Sequence, residues 1–349
     1  MKILITGGAG FIGSSLVRSA LGAGHAVVNL DALTYAGNAI NLTEVEDAAG
    51  YVFEHVDIVD AAAVDAVFAR HRPDAVMHLA AESHVDRSID GPLAFVRTNV
   101  MGTAVLLEAA RRHWRGLDPE RAVAFRFIHV STDEVYGALG PDDPPFDEHS
   151  PIDPTSPYAS SKAASDLLAR AWQRTYALPV IVTSCSNNYG PRQFPEKLIP
   201  TVIHNAVSGQ PIPIYGDGRQ VRDWLFVEDH AEALLRILEA GVPGETYLIG
   251  GEAEHGNLDL TRAICAILDR LSPTNRPRAE LITHVADRPA HDRRYAIDAG
   301  KLRDALGWRP RTSLEAGLER TVRWYLDHEP WWQEIRAQGF SGQRLGSGR

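Results

Sequence analysis

Tyr158 and Lys162 are residues whose types and spacing suggest chemistry. They lie four positions apart in a segment that opens with the helix-start signal Ser156-Pro157 and continues in helix-forming residues to about Tyr176. This spacing places both side chains on one face of a helix. A cationic Lys162 near the phenol would favour the phenolate and lower the pKa of Tyr158 towards working pH. Such a pair could take a hydroxyl proton while a cofactor takes a hydride.

Thr132, Asp133 and Glu134 form a second group of reactive side chains. They closely follow residues 125–130, an apolar run that is typical of a buried parallel strand. In an open α/β sheet, ligands bind outside the carboxyl ends of the strands. The sequence therefore predicts that these three side chains lie where a ligand would bind.

A glycine-rich loop links the first predicted strand, residues 2–6, to a helix that begins near Ser14. The loop has the sequence Gly7-Gly8-Ala9-Gly10-Phe11-Ile12-Gly13, a Gly-x-x-Gly-x-x-Gly variant of the dinucleotide fingerprint. Its glycines permit a tight turn and a close approach of a pyrophosphate to the helix N-terminus. In this strand–loop–helix context, the pattern predicts a dinucleotide cofactor.

Asp31 indicates which dinucleotide is bound. It ends a second predicted strand, residues 25–30, at about the expected distance from the glycine loop. A carboxylate at this position can bind the ribose 2′-hydroxyl and would repel a 2′-phosphate. The next residue, Ala32, is not an arginine, so the sequence favours NAD over NADP.

The remaining alternation of strands and helices predicts an α/β fold with a doubly wound parallel Rossmann sheet. We assign residues 1–184 to the NAD-binding domain, with segments near 216–250 returning to it. Residues 185–330 are then mainly a smaller α/β substrate-binding domain. The tail, residues 341–349, is expected to be disordered.

Two polar residues near the predicted site allow alternative interpretations. A further predicted strand, residues 75–79, ends at Ala80-Ala81, where small side chains would let the backbone approach a cofactor. His84 could be catalytic, but a structural role close to the site is favoured. Asn99 lies within a predicted helix, residues 92–113, and is either a satisfied core amide or a group that touches the active site.

Composition excludes several classes of protein. The chain has 349 residues and a formal net charge of -10 without a basic stripe, which argues against a nucleic-acid binder. Cys185 and Cys265 lie in apolar surroundings and are expected to be reduced core residues. The sequence shows no metal-ligand spacing. We expect neither a signal peptide nor an apolar run of membrane-spanning length, and therefore a cytosolic protein.

These motifs resemble the extended short-chain dehydrogenase/reductase family, and within it the nucleotide-sugar 4,6-dehydratases. The resemblance covers residues 3 to about 326. The glycine loop and the Tyr158–Lys162 pair are common to the superfamily. The consecutive Thr132, Asp133 and Glu134 are more specific, because sister epimerases lack the adjacent acid pair.

The resemblance implies a reaction with no net redox change. NAD removes a hydride from C4 of a nucleotide-linked glucose, water is eliminated across C5 and C6, and the hydride returns to C6. By this resemblance Tyr158 is the C4 base and Lys162 its activator, Glu134 removes the C5 proton, and Asp133 protonates the leaving hydroxyl. Thr132 holds the 4-oxygen. Burial beside Glu134 would raise the pKa of Asp133 enough for it to act as an acid near pH 7.

Motif and resemblance together give two sets of expected binding residues. The expected NAD-binding residues are Gly7, Gly10, Phe11, Ile12, Gly13, Asp31, Ala32, Leu33, Thr34, Asp57, Ile58, Leu79, Ala80, Ala81, Ser83, Thr98, Tyr158, Lys162 and Asn188. The expected substrate-binding residues are Ser83, Thr132, Asn187, Lys197, Leu198, Pro213, Tyr215, Arg222, Asn257, Asp287, Arg288 and His291. Two positions depart from the family pattern: Ala32 replaces a common lysine, and Ala290 replaces a common glycine.

The resemblance implies dTDP-glucose as the preferred substrate. The alternatives on the same scaffold are a 4-epimerase or a decarboxylase that acts on another nucleotide sugar. A non-catalytic NAD-sensing protein is a third alternative, which the intact reactive residues disfavour. A homodimer is expected through the two long helices, residues 92–113 and 157–176, because they carry more apolar residues than one sheet face requires.

Overall fold

The computed structural model describes residues 1–287 and 291–337. Arg288, Ala290 and the tail at 341–349, about which the sequence supports expectations, lie outside the described residues. The strands in chain order are β1 (Lys2–Thr6), β2 (Ala26–Asp31), β3 (Tyr51–His55), β4 (Ala75–His78), β5 (Arg126–Thr132), β6 (Val180–Cys185), β7 (Asn187–Tyr189), β8 (Ile212–Tyr215), β9 (Val221–Phe226), β10 (Thr246–Ile249), β11 (Glu254–Gly256) and β12 (Ile282–Val285).

The helices alternate with these strands in the first half of the chain. In chain order they are α1 (Phe11–Gly22), α2 (Ala61–His71), α3 (Val85–Asp90), α4 (Pro92–Phe95), α5 (Thr103–Arg115), α6 (Pro119–Ala124), α7 (Pro157–Tyr176), α8 (Leu198–Val207), α9 (Val227–Ala240), α10 (Asn257–Leu271), α11 (Gly300–Leu306), α12 (Leu314–Asp327) and α13 (Glu329–Ala337). Asp133–Tyr136 forms a 3₁₀ turn directly after β5.

A seven-stranded parallel sheet forms the centre of the molecule and confirms the doubly wound Rossmann prediction. Its strand order is β10-β6-β5-β4-β1-β2-β3. The direction of winding reverses between β1 and β4, so the connections that follow these two strands diverge at their carboxyl ends. Such a switch point opens a crevice for a ligand.

Helices cover both faces of this sheet because each presents an apolar stripe to it. On one face, Leu16 of α1 and Leu234 of α9 belong to a single buried cluster. On the other face, Val64 of α2, Leu106 of α5 and Ala169 of α7 belong to a second cluster. Both halves of the core are therefore apolar, and α7 packs against β5 and β6.

One long helical stretch differs from expectation. Residues 92–115 are continuous, but Val96–Gly102 within them is a π-helix. By length and mean hydropathy, 1.3, Pro92–Arg115 could cross a membrane, so the expectation that no apolar run reaches that length is wrong. The core helix of a globular protein passes the same test. This helix packs against α7 and carries the buried, hydrogen-bonded Asn99.

The second half of the chain forms a smaller set of sheets and helices. Strands β11, β9 and β7 form one sheet, and β12 pairs with β8 in another. Helices α8, α10, α12 and α13 supply the apolar cluster beside them. Helix α9 and strand β10 instead contribute to the large sheet and its core. The chain therefore crosses between the two parts, and a cleft forms where they meet.

Candidate active site

A cleft of about 320 Å³ lies at the carboxyl ends of the central strands. It collects side chains from loops that are far apart in the sequence. Of the expected cofactor and catalytic residues, those that line it are Gly7, Gly10, Phe11, Ile12, Gly13, Asp31, Ala32, Thr34, Asp57, Ile58, Leu79, Ala80, Ala81, Ser83, Thr98, Thr132, Asp133, Glu134, Tyr158, Lys162 and Asn188. Leu33 does not line the cleft, although its backbone N–H contacts Asp31.

The glycine loop has the geometry of a phosphate cradle. Gly7 adopts a left-handed backbone conformation with φ of +73°. A Cβ atom at Gly13 would lie 2.0 Å from the carbonyl oxygen of Gly7, so only glycine allows this close turn. Gly10 precedes α1 without a side-chain cap, and the first turn of α1 contains no acidic residue. Backbone N–H groups of that turn are thus available for an anion.

Asp31 fits the ribose end of a dinucleotide. Its Oδ2 atom accepts a hydrogen bond from the Ala9 N–H at 2.9 Å, and its Oδ1 atom accepts one from the Leu33 N–H at 2.8 Å. Burial raises the pKa of this carboxyl, while the two N–H donors oppose the rise. The side chain is therefore held rigidly at the cleft wall, and the residues present fit bound NAD.

Asn99 is a satisfied core amide that also supports the cleft. Its Oδ1 atom accepts from the Glu82 N–H at 2.8 Å, and its Nδ2 group donates to the Glu82 carbonyl at 3.0 Å. The same amide donates to Ser161 Oγ at 2.8 Å. His84 has a structural contact too, because its Nδ1 atom accepts from the Arg87 N–H at 3.4 Å at the start of α3.

Tyr158 and Lys162 are both buried in the cleft, but the expected lowering of the tyrosine pKa is not found. Burial and the Glu134 carboxylate raise the pKa of Tyr158 well above its ordinary value. Lys162 directs its Nζ group to the Val130 carbonyl at 2.8 Å. Burial also lowers the pKa of Lys162. The expectation is wrong for the protein alone because desolvation and the charge of Glu134 both raise the pKa of Tyr158.

Asp133 and Glu134 differ in burial, as their expected roles of acid and base require. Asp133 is 2% exposed, and among the described residues its Oδ2 atom has no hydrogen-bond partner. Burial, then Glu134, then Asp223 raise its pKa well above the ordinary value, which confirms the expected direction. Thr132 contacts both residues, donating to Asp133 Oδ1 at 3.3 Å and accepting from the Glu134 N–H at 3.4 Å.

Four of the expected substrate-binding residues line the cleft: Ser83, Thr132, Asn187 and Lys197. Lys197 Nζ donates to the Ser83 carbonyl at 2.9 Å and so links the two walls. The buried Oδ1 atom of Asn187 has no hydrogen-bond partner among the described residues and is available to a ligand donor. These groups can bind polar substituents of a sugar.

The other described substrate candidates do not line this cleft. They are Leu198, Pro213, Tyr215, Arg222, Asn257, Asp287 and His291. They belong to the smaller part of the molecule, on α8, β8, β9, the start of α10 and the chain that follows β12.

Several of these residues form a cluster of their own. His291 Nδ1 lies 2.5 Å from Asp287 Oδ1, and the His291 ring packs edge-on to Tyr215 with centroids 6.2 Å apart. Arg222 lies over the ring of Tyr295 at 4.3 Å. Its charge opposes the rise in the pKa of Asp133, so Arg222 lies near the cleft at Asp133.

Four further residues line the cleft although no motif predicts them: Glu82, Gln193, Phe194 and Glu196. Glu196 Oε2 accepts from Arg87 Nε at 3.1 Å, and the Arg87 guanidinium lies 3.8 Å from the centre of the Tyr35 ring. One indication of Glu196 in the sequence is its position next to Lys197, an expected substrate-binding residue.

The chain matches known proteins over nearly its full length. A family model described as GDP-mannose 4,6 dehydratase matches residues 4–321. A dTDP-glucose 4,6-dehydratase of Neisseria meningitidis serogroup B is 57% identical, over 100% of this chain and 99% of that protein. The dTDP-glucose 4,6-dehydratase 1 of Escherichia coli K12 is 56% identical, over 97% of both chains.

Solved structures show the same fold. A dTDP-glucose 4,6-dehydratase from Streptomyces venezuelae, solved with NAD bound, has a TM-score of 0.87 and 46% identity, covering 96% of this chain and 100% of that chain. A UDP-glucose 4-epimerase from Thermus thermophilus, also with NAD, has a TM-score of 0.83 but only 29% identity, covering 94% and 100%. The scaffold is therefore shared with epimerases, while sequence identity is higher to the dehydratase.

Proposed function

The chain belongs to the GDP-mannose 4,6-dehydratase family, and we propose that it converts dTDP-glucose to dTDP-4-keto-6-deoxyglucose with NAD that it regenerates in each cycle. The observation that carries this proposal is the buried Asp133 beside the half-buried Glu134, within one cleft with Tyr158 and Lys162. An epimerase needs the last two residues only. A dehydratase also needs an acid and a base for neighbouring carbons.

We assign the C4 step to Tyr158, Lys162 and Thr132. Bound NAD supplies the hydride acceptor at C4 and the hydride donor at C6. Tyr158 takes the proton of the C4 hydroxyl, and Thr132 holds the oxygen, because both side chains line the same cleft. Lys162 stabilises the phenolate by its charge. The buried surroundings exclude water from this step.

We assign the elimination to the two carboxyl groups. Once C4 is a ketone, the C5 proton is acidic, and Glu134 removes it. Asp133 protonates the C6 hydroxyl as it leaves, and its raised pKa keeps that proton available near neutral pH. The adjacent cluster around Arg222, Asp287 and His291 is our candidate for the nucleotide diphosphate, which a guanidinium group binds well.

We further propose a homodimer. Leu93, Val96 and Met101 on the helical stretch 92–115 are exposed, and so is Leu167 on α7. The two helical stretches pack against each other, and we propose that these exposed apolar side chains form one surface. A second copy would cover them by helix packing, which would explain the high hydropathy of Pro92–Arg115.

The domain assignment and the location remain part of the proposal. We propose residues 1–184 with α9 and β10 as the NAD-binding domain, and most of 185–330 as the nucleotide-sugar domain. A cytoplasmic location agrees with two free, buried cysteines in the described structure, because secreted proteins favour disulfides.

One experiment tests the activity directly. The purified protein is incubated with dTDP-glucose without added NAD, and the sugar nucleotide is analysed by mass spectrometry. Loss of one water supports the dehydratase and a retained cofactor. An unchanged mass with a C4 epimer in the NMR spectrum would favour the epimerase instead. An unchanged sugar, even with NAD added, would contradict both.

A further inference from the structure

Asp166 is a buried carboxylate that the reaction outlined above does not use. It is 1% exposed and lies one helical turn beyond Lys162 in α7. Lys162 is itself only 4% exposed. The two side chains share one face of the helix because they are four positions apart. Ionisable groups buried to this degree are rarely found without partners.

Both side chains contact the same stretch of β5. Lys162 Nζ donates to the Val130 carbonyl at 2.8 Å. Asp166 Oδ2 accepts from Ser131 Oγ at 2.8 Å, and Asp166 Oδ1 lies 3.0 Å from His129 Nε2. Thr132, the first of the proposed catalytic residues, directly follows Ser131 in β5. Helix α7 is thereby fastened to β5 directly before the site.

The hydrogen-bond network defines the protonation of His129. Ser165 Oγ donates to the Lys162 carbonyl at 2.7 Å, so it can only accept from His129 Nε2, 3.1 Å away. The Nε2 atom of His129 therefore carries the proton and donates it to Asp166 as well. Among the described residues, the buried Nδ1 atom of His129 has no partner. Asp166 is the acceptor in both of its contacts, as expected of a carboxylate.

Lys162 interacts electrostatically with titratable groups on four elements: His78 on β4, His129 on β5, Cys185 on β6 and Asp166 on α7. Burial lowers the pKa of both histidines and raises that of Cys185 to about 12. These three groups are therefore neutral near pH 7. Burial also raises the pKa of Tyr158. Within this set, Asp166 supplies the negative charge.

We propose that Asp166 is a positioning residue for the C4 step, the fixed counter-charge that keeps buried Lys162 protonated and holds α7 in register with β5. This role rests on the proposed function, because it acts through the activation of Tyr158 by Lys162. Burial alone would favour neutral lysine, and the attraction of Asp166 opposes that tendency. A neutral lysine cannot stabilise a phenolate.

The first test measures the titration of Lys162 directly and needs no substrate. The chain has only four lysines, at positions 2, 162, 197 and 301. Carbon-13 labelling of lysine in the NAD-bound protein gives four resolvable NMR signals, and Lys162→Arg assigns the one of interest. We expect wild-type Lys162 to be protonated at pH 7 and to titrate at lower pH in Asp166→Asn. A neutral Lys162 in the wild type, or an unchanged titration in Asp166→Asn, would overturn the proposal.

The second test measures the C4 step alone. In an Asp133→Asn background, where elimination is blocked, reduced nicotinamide is followed by its absorbance as a function of pH. Adding Asp166→Asn should move the alkaline limb of the profile to lower pH and decrease the rate about tenfold at mildly alkaline pH, with KM unchanged. The NMR test needs no substrate, so its result does not depend on whether dTDP-glucose is the substrate. Failure of the Asp166 proposal can therefore be distinguished from failure of the proposed function.

Ser165→Ala is the matched control in the same network. It removes the hydrogen bonds of Ser165 Oγ to the Lys162 carbonyl and to His129, but it leaves the charge of Asp166 in place. We expect its pH profile and its Lys162 titration to match those of the parent protein. If Ser165→Ala shifts the alkaline limb as far as Asp166→Asn does, Asp166 is merely structural. If Asp166→Asn does not fold, the wild-type titration still tests the proposal, because a neutral Lys162 at pH 7 would overturn it.

Discussion

Asp133 and Glu134 are consecutive residues that occupy opposite environments. Asp133 is almost fully buried, and the next side chain is half-buried at the cleft surface. The 3₁₀ turn that follows β5 produces this difference, because it directs the first carboxyl into the interior. Burial therefore separates an acid that must keep its proton from a base that must lose one.

Replacing Asp133 with Asn removes the proton donor but keeps the shape of the side chain. We expect the rate of water elimination to fall about 10²- to 10⁴-fold, because the leaving hydroxyl is no longer protonated. Oxidation at C4 should persist, so reduced nicotinamide accumulates and is measured by absorbance. Elimination at the parental rate, measured by mass spectrometry, would show that another group is the acid.

The same substitution should stabilise the fold at alkaline pH. The folded-state pKa of Asp133 is raised, so the free energy of unfolding declines as pH rises through that pKa. Because Asn does not ionise, the free energy of unfolding of the variant does not decrease in this way. We expect a higher melting temperature for Asp133→Asn at alkaline pH and equal values below about pH 4, the unfolded-state pKa. Asp142→Asn, on an exposed loop, is the control and should show no such difference.

Replacing Glu134 with Gln should stop proton removal at C5 and leave C4 oxidation intact. In deuterated solvent, the parent protein incorporates deuterium into the product, and we expect this incorporation to fall about 10²-fold or more in Glu134→Gln. NMR of the sugar measures it. Undiminished incorporation would assign the C5 base to another residue.

Gly13→Ala tests the cofactor cradle. A methyl group there would lie 2.0 Å from the Gly7 carbonyl oxygen, so the loop must open and the protein should be isolated with far less NAD. Gly22→Ala, in the same helix, is a matched control because nothing lies within 4 Å of its added Cβ. It should retain NAD and gain about 0.5–1 kcal/mol of stability. Equal NAD content in the two variants, measured by absorbance after denaturation, would contradict the cradle.

Leu167→Glu tests the proposed dimer. The side chain is exposed on α7, and a carboxylate there would be buried between two copies without a partner. We expect light scattering to report monomers at micromolar concentration for this variant and dimers for the parent. Val123→Glu alters a similarly exposed apolar residue on α6 and should leave the assembly unchanged. Light scattering that reports a monomeric parent protein would contradict the proposed dimer.

Local sequence patterns were sufficient to predict the Rossmann sheet and most of the cleft. The strands before the glycine loop and before residue 132 are short apolar runs. Parallel pairing brings their carboxyl ends to one edge of the sheet, independently of the loop conformations. The Tyr158 helix was also predictable, since its start signals and its helix-forming residues agree. These features depend on neighbouring residues only.

Other features depend on tertiary contacts that no local pattern encodes. The π-helix at Val96–Gly102 lies where Asn99 turns to meet Glu82 and Ser161, which are distant in the sequence. The pKa of Tyr158 follows its burial, which the sequence does not show. The residues around Arg222 and His291 come from β8, β9 and the chain after β12, and only the tertiary fold determines that they do not line the cleft.

Helix α7 presents two working faces. Tyr158 and Lys162 point into the cleft, whereas Leu167 lies on the opposite side, exposed to solvent. One rigid element thus connects the reaction chemistry with the surface proposed for assembly. It follows that dilution below the dimer dissociation constant would release the outer support of the helix that carries the C4 base. Specific activity would then decrease on dilution.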